Sequence, residues 1–170
     1  LADAPKVDPD NFYGTSQDHD RDQQDMFTAI IQHDFSDNVA LHGTLRWGRT
    51  RQDYLLTSFT ATAANLLTPD PTDPASWTLT RLVNNKNVTN KALTNQTHVQ
   101  GHFKTGRLHH SFDAGLELDR EEQTTRIYDN TTASGAYPAV SVYAPDANVG
   151  GYDRFLTGAY TYGRTDTVGL

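Results

Sequence analysis

Histidines and carboxylates are the side chains of this 170-residue chain that could bind a metal or catalyse a reaction. His98 and His102 are four residues apart, as are Asp113 and Glu117, and both pairs lie where apolar and polar residues alternate. Alternation is typical of β-strands, in which residues four apart are separated by about 13 Å. Two histidines at that distance cannot share one ion. The carboxylates are also too far apart for an inverting glycosidase, which needs roughly 6.5 to 9.5 Å.

The remaining composition also argues against catalysis. The chain has no cysteine, which excludes disulfides and cysteine-based metal sites, and it contains no nucleophile elbow or phosphate-binding loop. Its net charge of −7 argues against nucleic acid as a partner, because phosphate binding requires a basic patch. We therefore predict no catalytic residues, no metal site, no cofactor and no enzyme activity.

The chain is organised around a predicted hairpin from Met26 to Phe59, with a turn at residues 36–38. Successive side chains of a strand point to opposite faces. One face of the hairpin is apolar apart from His33, and carries Phe27, Ala29, Ile31, Phe35, Val39, Leu41, Gly43, Leu45 and Trp47. The other face carries Gln32, Asp34, His42, Thr44, Arg46 and Thr50. The function depends on whether the apolar face meets a protein core or lipid.

A second predicted hairpin repeats the pattern. Its strands run from about Leu93 to Phe103 and from Leu108 onward, and a fifth strand begins near Thr165. Long loops are predicted at about 1–22, 60–91 and 127–151. Short turns and long connections thus alternate along the chain, as they do in outer-membrane barrels.

The apolar bands of these strands have the length of a membrane crossing. A transmembrane strand needs about 9 to 11 residues. The band 39–47 spans about nine residues before Arg49, and the band 108–118 spans about 11 before Arg120. No segment approaches the roughly 18 apolar residues of a transmembrane helix, and residues 1–5 lack the apolar core of a signal peptide. The low mean hydropathy of −0.65 suits a protein whose apolar residues are confined to such bands.

Alternation alone also permits a soluble β-sandwich or small barrel. Such a chain could be a carbohydrate-binding module that uses Trp77 and the tyrosines as stacking platforms. An outer-membrane barrel enzyme is a third alternative. The long second strand, the matched band heights and the alternating loop lengths favour the lipid-facing interpretation.

Several segments resemble the TonB-dependent outer-membrane receptors, and specifically the catecholate siderophore receptors. They occur in a matching order and cover most of the predicted strands: Asn11-Phe12-Tyr13-Gly14, Asp25-Met26-Phe27-Thr28-Ala29, His33-Asp34-Phe35-Ser36-Asp37-Asn38, the RWGRTRQDY run from Arg46 to Tyr54, Asn95-Gln96-Thr97, Ala114-Gly115-Leu116-Glu117 and Arg164-Thr165-Asp166-Thr167-Val168-Gly169-Leu170. None is a catalytic signature, so the specificity lies in their order and spacing.

The resemblance implies an all-β fold, an antiparallel meander of long transmembrane β-strands that forms part of a 22-stranded outer-membrane β-barrel. About four strands and the start of a fifth would belong to this chain, and no segment resembles the N-terminal plug. It also implies a location in the bacterial outer membrane, a ferric siderophore as transported ligand, and outer-membrane lipid and the TonB complex as partners. Aromatic and cationic residues of the loops and upper lumen are then candidates for ligand binding: Tyr13, Tyr54, Trp77, Arg81, Tyr128 and Tyr137.

Overall fold

The computed structural model of the protein describes residues 4–59, 66–129, 137–149 and 154–170. The predicted loops at 1–22, 60–91 and 127–151 are therefore described only in part. The chain divides into two compact units, which we describe separately. The strand unit comprises Asp22–Arg51, Val88–Thr125 and Tyr160–Leu170, and the loop unit comprises Leu1–Arg21, Gln52–Asn87 and Arg126–Ala159.

Five long strands form one sheet, in the order β1-β2-β5-β6-β8. Their bounds are β1 His19–Ser36, β2 Val39–Phe59, β5 Arg81–Thr105, β6 Leu108–Tyr128 and β8 Leu156–Gly169. Each long strand pairs with the next long strand along the chain, so the predicted all-β antiparallel meander is confirmed. The short turn between β5 and β6 contains Gly106 at φ 62°, a left-handed conformation that glycine adopts without steric cost.

The strands are longer than the alternating pattern alone indicates. β5 begins at Arg81, whereas the sequence places the start of that strand near Leu93. β1 begins at His19, before the predicted hairpin starts at Met26, and β8 begins at Leu156 instead of near Thr165. The early part of β5 includes consecutive polar residues from Asn84 to Asn87, which hide its periodicity. Backbone pairing with neighbouring strands extends these elements beyond the segments in which side-chain alternation is visible.

Side-chain contacts in the strand unit agree with the predicted faces. A methyl group placed on Gly43 would lie 3.8 Å from Cβ of Ile31 and 3.7 Å from Oγ1 of Thr97, so these three positions share one face. His33 on the apolar face, and His110 within the band 108–118, each contact an aromatic neighbour. His33 meets Phe35 edge-on at 4.7 Å between ring centroids, and His110 stacks on Phe103 at 4.8 Å.

The apolar face of the strand unit is exposed. Phe35 is 61% exposed and Leu108 is 65% exposed, and many other large apolar residues of these strands are exposed as well. Among the described residues of this unit, Val88 is the one buried hydrophobic side chain. A water-soluble sheet would bury such a face against a second layer. Separately, in the part of the chain that the structure describes, no helix is long and apolar enough to span a membrane.

The loop unit has a small sheet of its own. The strands β3 Leu66–Leu67, β4 Thr78–Leu79 and β7 Val140–Ser141 pair antiparallel in the order β3-β4-β7. Because β4 comes from the loop predicted at 60–91 and β7 from the loop predicted at 127–151, the two loops pair directly with each other. A 3-10 helix, Pro74–Ser76, precedes β4 and is capped by the Asp73 carboxylate, which accepts a hydrogen bond from the Ala75 amide at 3.1 Å.

The hydrophobic core described in the structure lies in this loop unit. Trp77, Leu79, Val140 and Val142 are buried against one another. Trp77 and Leu79 are two residues apart in one extended segment, and Val140 and Val142 are two apart in another. The two members of each pair therefore point to the same side. Ala4, Tyr13, Leu66 and Tyr143 pack around this cluster. The chain thus buries apolar side chains in its connections while exposing them along its strands.

The packing of β5 on β6 gives the first testable prediction. A methyl group at Gly101 would lie 2.6 Å from the Phe112 ring and 2.9 Å from the Asn38 carbonyl oxygen, which belongs to the backbone and cannot move freely. We expect Gly101→Ala to destabilise the fold by about 1 to 3 kcal/mol, as overpacking does.

The matched control is Gly48→Ala on β2, because nothing lies within 4 Å of a methyl group there. The control should change stability by less than about 0.5 kcal/mol. Denaturant unfolding of the two variants measures the difference. Equal midpoints for Gly101→Ala and Gly48→Ala would contradict the described strand packing.

Candidate functional site

All six residues that the sequence nominates for ligand binding lie in the loop unit. Arg81, the first residue of β5, is 3% exposed. Its guanidinium donates to three backbone carbonyls: Nε to Tyr13 at 2.9 Å, and Nη2 to Gly14 at 3.1 Å and to Asp146. Arg81 therefore joins the N-terminal arm, which is the segment before β1, to the connection between β6 and β8. A planar guanidinium with several donors suits this task better than an ammonium would.

The environment of Arg81 combines burial with nearby negative charge. Arg81 lies outside the apolar bands, so its environment is that of the loop unit. Burial lowers the pKa of the Arg81 guanidinium, and the carboxylates of Asp146 and Asp18 oppose that lowering. An arginine remains protonated in proteins, so a buried cation is held here by carbonyl dipoles and two carboxylates.

Trp77 is 5% exposed and forms the centre of the hydrophobic cluster. Its indole Nε1 donates to the Asp70 carbonyl at 2.8 Å, and its ring lies 6.4 Å from that of Tyr143. The Asp70 carboxylate organises the same turn, because it accepts from Thr72 Oγ1 at 2.6 Å and from the Thr72 amide at 2.8 Å. These hydrogen bonds, led by the Thr72 side chain, hold the pKa of the Asp70 carboxyl below its usual value of 3.8.

Tyr128, at the end of β6, belongs to a polar cluster with Asp53 and His19. Its hydroxyl donates to Asp53 Oδ1 at 2.7 Å and lies 3.5 Å from Nε2 of His19. His19 Nε2 is in turn 3.8 Å from Asp53 Oδ1. The Tyr128 ring is buried, so the cluster joins β1, β2 and β6 within the loop unit.

The other tyrosines differ in their contacts. Tyr137 is buried, and the Arg154 guanidinium carbon lies 5.1 Å above its ring in a cation–π contact. Tyr13 is half-buried, donates its hydroxyl to the Val142 carbonyl at 2.7 Å, and lies 5.0 Å from the Phe59 ring. Tyr54 is half-buried on β2.

Four of the six nominated residues are therefore buried within the loop unit, namely Trp77, Arg81, Tyr128 and Tyr137. Their direct contact with a ligand stays a prediction. The structure adds two residues that sequence patterns did not reveal. Asp18 accepts hydrogen bonds from the Thr57 hydroxyl and from the Thr15 hydroxyl, both at 2.8 Å, and Arg154 donates to the Asp129 carbonyl at 3.1 Å. A lone Asp or Arg in a loop carries no positional signal, so only the fold shows these roles.

The polar face of the strand unit presents histidines and amides. His42 and His98 stack at 5.1 Å between ring centroids, and Gln100 Nε2 lies 3.0 Å from His42 Nε2. Gln96 Nε2 donates to Glu117 Oε1 at 2.9 Å across β5 and β6. Across the described residues, no group of three or more His, Asp or Glu side chains is arranged to hold a metal ion.

Comparison with known proteins shows what the whole chain is similar to. The chain is 41% identical over 167 residues to the catecholate siderophore receptor Fiu of Escherichia coli K12, a match that covers 97% of this chain and 21% of that receptor. The crystal structure of the open form of this ferric-catecholate import receptor aligns with 98% of the chain and 25% of its own, with a TM-score of 0.75 and 39% identity. The resemblance to TonB-dependent siderophore receptors is confirmed.

The match covers only part of the relative. The chain spans about a fifth of the length of the curated relative it matches. The siderophore receptor PiuA of Acinetobacter baumannii shares the fold at a TM-score of 0.62 with 17% identity, over 96% of this chain and 24% of its own. No protein-family model matches the chain. These findings favour the resemblance to siderophore receptors over the soluble carbohydrate-binding alternative.

The carbonyl contacts of Arg81 give the second prediction. We expect Arg81→Ala to release the N-terminal arm, because three backbone carbonyls lose a charged donor that is worth about 1.5 to 3 kcal/mol per hydrogen bond. Hydrogen exchange should rise by at least tenfold at residues 11–18 and 140–147, while residues 108–118 of β6 stay protected.

The matched control is Arg126→Ala, which removes an exposed arginine of the same unit. It should leave exchange in both segments within twofold of the parent. If Arg81→Ala leaves the two segments as protected as Arg126→Ala does, Arg81 does not hold them together.

Proposed function

We propose that this chain is a wall segment of an outer-membrane receptor that binds ferric siderophores and imports them with energy supplied through TonB. The observation that carries the proposal is the 41% identity to a catecholate siderophore receptor over 97% of the chain. The described fold supports it independently: long antiparallel strands expose apolar residues, and the connections between them are folded.

The relative Fiu is named as a receptor. The side chains of this chain are consistent with transport. The described residues hold no metal-ligand cluster, and the carboxylate Glu117 is hydrogen-bonded to Gln96 on the neighbouring strand. We propose transport without catalysis. The ferric siderophore is then cargo, and this segment needs no cofactor of its own. The TonB complex and outer-membrane lipid are the proposed partners of the whole receptor.

The loop unit is the proposed ligand-facing part of the segment. Its aromatic and cationic residues form two groups, one around Trp77 and Arg81 and one around Tyr128. Because these side chains are buried, we propose that Trp77, Arg81, Tyr128 and Tyr137 act chiefly by holding the loops in a binding-competent shape. The half-buried Tyr13 and Tyr54 are the candidates for contact with an aromatic, anionic chelate.

A chimera tests the proposal. The aligned segment of E. coli Fiu is replaced by residues 1–170 of this chain and produced in an E. coli strain that lacks its own catecholate receptors. We expect growth on a ferric catecholate as the sole iron source, because the segment is 41% identical to that of Fiu and shares its fold at a TM-score of 0.75. Uptake of radiolabelled ferric catecholate measures the transport directly.

Two controls define the outcome. Removal of tonB should abolish uptake, which separates energised import from leakage. Surface protease accessibility and outer-membrane fractionation should show that the chimera is inserted. An inserted chimera that takes up no ferric catecholate, or one that is never inserted, would contradict the proposed function.

A further inference from the structure

Two histidines from neighbouring strands lie side by side on the polar face of the strand unit. The backbone amide of His102 on β5 donates to the carbonyl of Asn38 at 3.0 Å. Antiparallel pairing continued from that bond places His42 of β2 opposite His98 of β5. Their ring centroids are 5.1 Å apart, the ring planes are 29° from parallel, and both side chains are half-buried. Residues four apart on one strand are separated by about 13 Å, but residues opposite each other on two strands have Cβ atoms only about 4.5 to 5.5 Å apart.

The hydrogen bond between Gln100 and His42 shows where the lone pair of His42 points. Gln100 Nε2 lies 3.0 Å from His42 Nε2, and an amide nitrogen can only donate, so this ring nitrogen accepts and carries no proton. Gln100 is two residues from His98, so their side chains project from the same face of β5. The His42 lone pair is therefore directed towards β5, where the His98 ring stands. A neutral imidazole nitrogen is the commonest metal ligand in proteins.

The next strand, β6, leaves room beside His98. The neighbouring position on β6 is Gly115, and a methyl group there would lie 3.3 Å from the His98 Cβ. His98 and Gly115 line a cavity of about 300 Å³ together with Gln96 and Glu117. The glycine therefore keeps space beside the His98 side chain for an ion and its water ligands.

Carboxylates line a second cavity next to the histidine pair. Gln100 is part of its wall, its volume is about 750 Å³, and its acidic residues are Asp34, Asp37 and Asp113. His102 also lines it, but among the residues that the structure describes no lysine or arginine does. Clefts lined by one sign of charge concentrate ions of the opposite sign. The carboxylates therefore attract cations to the neighbourhood of the two imidazoles.

We propose that His42 and His98 bind a divalent transition-metal ion of the copper, nickel or zinc type between β2 and β5. Imidazole nitrogens suit these ions, and copper(II) binds most tightly of the three to a given set of nitrogen ligands. The ion would replace the Gln100 amide nitrogen as the partner of His42 Nε2, and rotation of that amide would turn its oxygen towards the ion. Water completes the coordination. Two imidazoles form a smaller set than the three-residue groups that are absent from the described residues, and the inference does not depend on siderophore import.

Titration of the Fiu chimera with Cu²⁺ tests the inference. The chimera is purified in a mild detergent without a histidine tag, at about pH 7.5 to limit competition by protons for the imidazole nitrogens. Isothermal titration calorimetry measures the affinity, and electron paramagnetic resonance counts the nitrogen ligands of the bound Cu²⁺. We expect His42→Asn and His98→Asn each to weaken binding by at least about tenfold, since losing a group that only supports a metal ligand already costs about 10- to 100-fold. The nitrogen ligands should fall from two to one in either variant.

The matched control is His109→Asn, which removes an exposed histidine of β6. His109 is six residues along β6 from Gly115, or roughly 20 Å from the neighbourhood of His98. Its replacement should leave the affinity for Cu²⁺ within about twofold of the parent, because it contributes no ligand. Equal losses in all three histidine variants, or an unchanged affinity in His42→Asn or His98→Asn, would overturn the proposal.

Gln100→Glu provides a test that a damaged fold cannot imitate. The substitution places a carboxylate oxygen where the amide nitrogen now contacts His42, and so adds an anionic ligand to the two imidazoles. We expect the affinity for Cu²⁺ to rise by at least about fivefold, because the ion gains a charged ligand. An unchanged or lower affinity would contradict the assigned position of the ion.

Uptake of ferric catecholate by the same chimera separates this inference from the proposed function. Uptake without a histidine-dependent copper site would overturn the metal proposal alone. A histidine-dependent copper site in an inserted chimera that takes up no ferric catecholate would overturn the proposed function alone. If the chimera is not inserted, the same Cu²⁺ titrations on the purified 170-residue chain in detergent decide the metal proposal.

Discussion

Backbone hydrogen bonding in lipid is the constraint on which this structure depends. A strand that crosses a bilayer must pair every backbone donor and acceptor with another strand, because hydrocarbon offers no hydrogen-bond partner. The meander β1-β2-β5-β6-β8 supplies that pairing for its inner strands, and leaves β1 and β8 at the edges of the sheet. Once the backbone hydrogen bonds are made, apolar side chains can face lipid and polar side chains can face water. Apolar residues and polar residues therefore alternate along strands of 14 to 25 residues.

The two units solve different folding problems. The strand unit exposes its apolar face, so it does not depend on a conventional core. The loop unit is stabilised as small soluble domains are, by a buried cluster around Trp77 and by a capped helical turn. Arg81 adds a polar contribution, since one guanidinium satisfies three carbonyls that a loop would otherwise turn to water. Folded loops of this kind can hold a ligand-binding surface in a defined shape.

The sequence predicts the strand unit well because its signal is periodic. The bands 39–47 and 108–118, the short turns and the order of strands all follow from alternation and from glycine and asparagine at turns. The resemblance to siderophore receptors, which rests on ordered segments such as RWGRTRQDY, is also confirmed by comparison with Fiu.

Side-chain alternation could not predict the structure of the loops or the exact ends of the strands. The pairing of Leu79 with Val140 joins residues 61 positions apart in the chain, and two-residue strands have no period to detect. The sequence nominates Trp77 and Arg81 as ligand-binding candidates, but residue type cannot say whether an aromatic or a cation faces a ligand or the protein interior. That distinction depends on long-range contacts, such as Arg81 with the Tyr13 carbonyl. The start of β5 at Arg81 likewise depends on neighbouring strands, since Asn84 to Asn87 carry no apolar alternation.

The central claim is that the apolar face of the strands meets lipid and the polar face meets water. The chain contains no cysteine, so single cysteines at each position from 109 to 120 of β6, in a host receptor whose own cysteines are removed, can carry a spin label one at a time. Collision rates with oxygen and with a water-soluble nickel complex then report the medium at each site. The account predicts oxygen-rich, nickel-poor environments at even positions from 110 to 118, the reverse at odd positions, and loss of the lipid signal at Arg120. Equal nickel access on both faces, or the opposite phase, would contradict it.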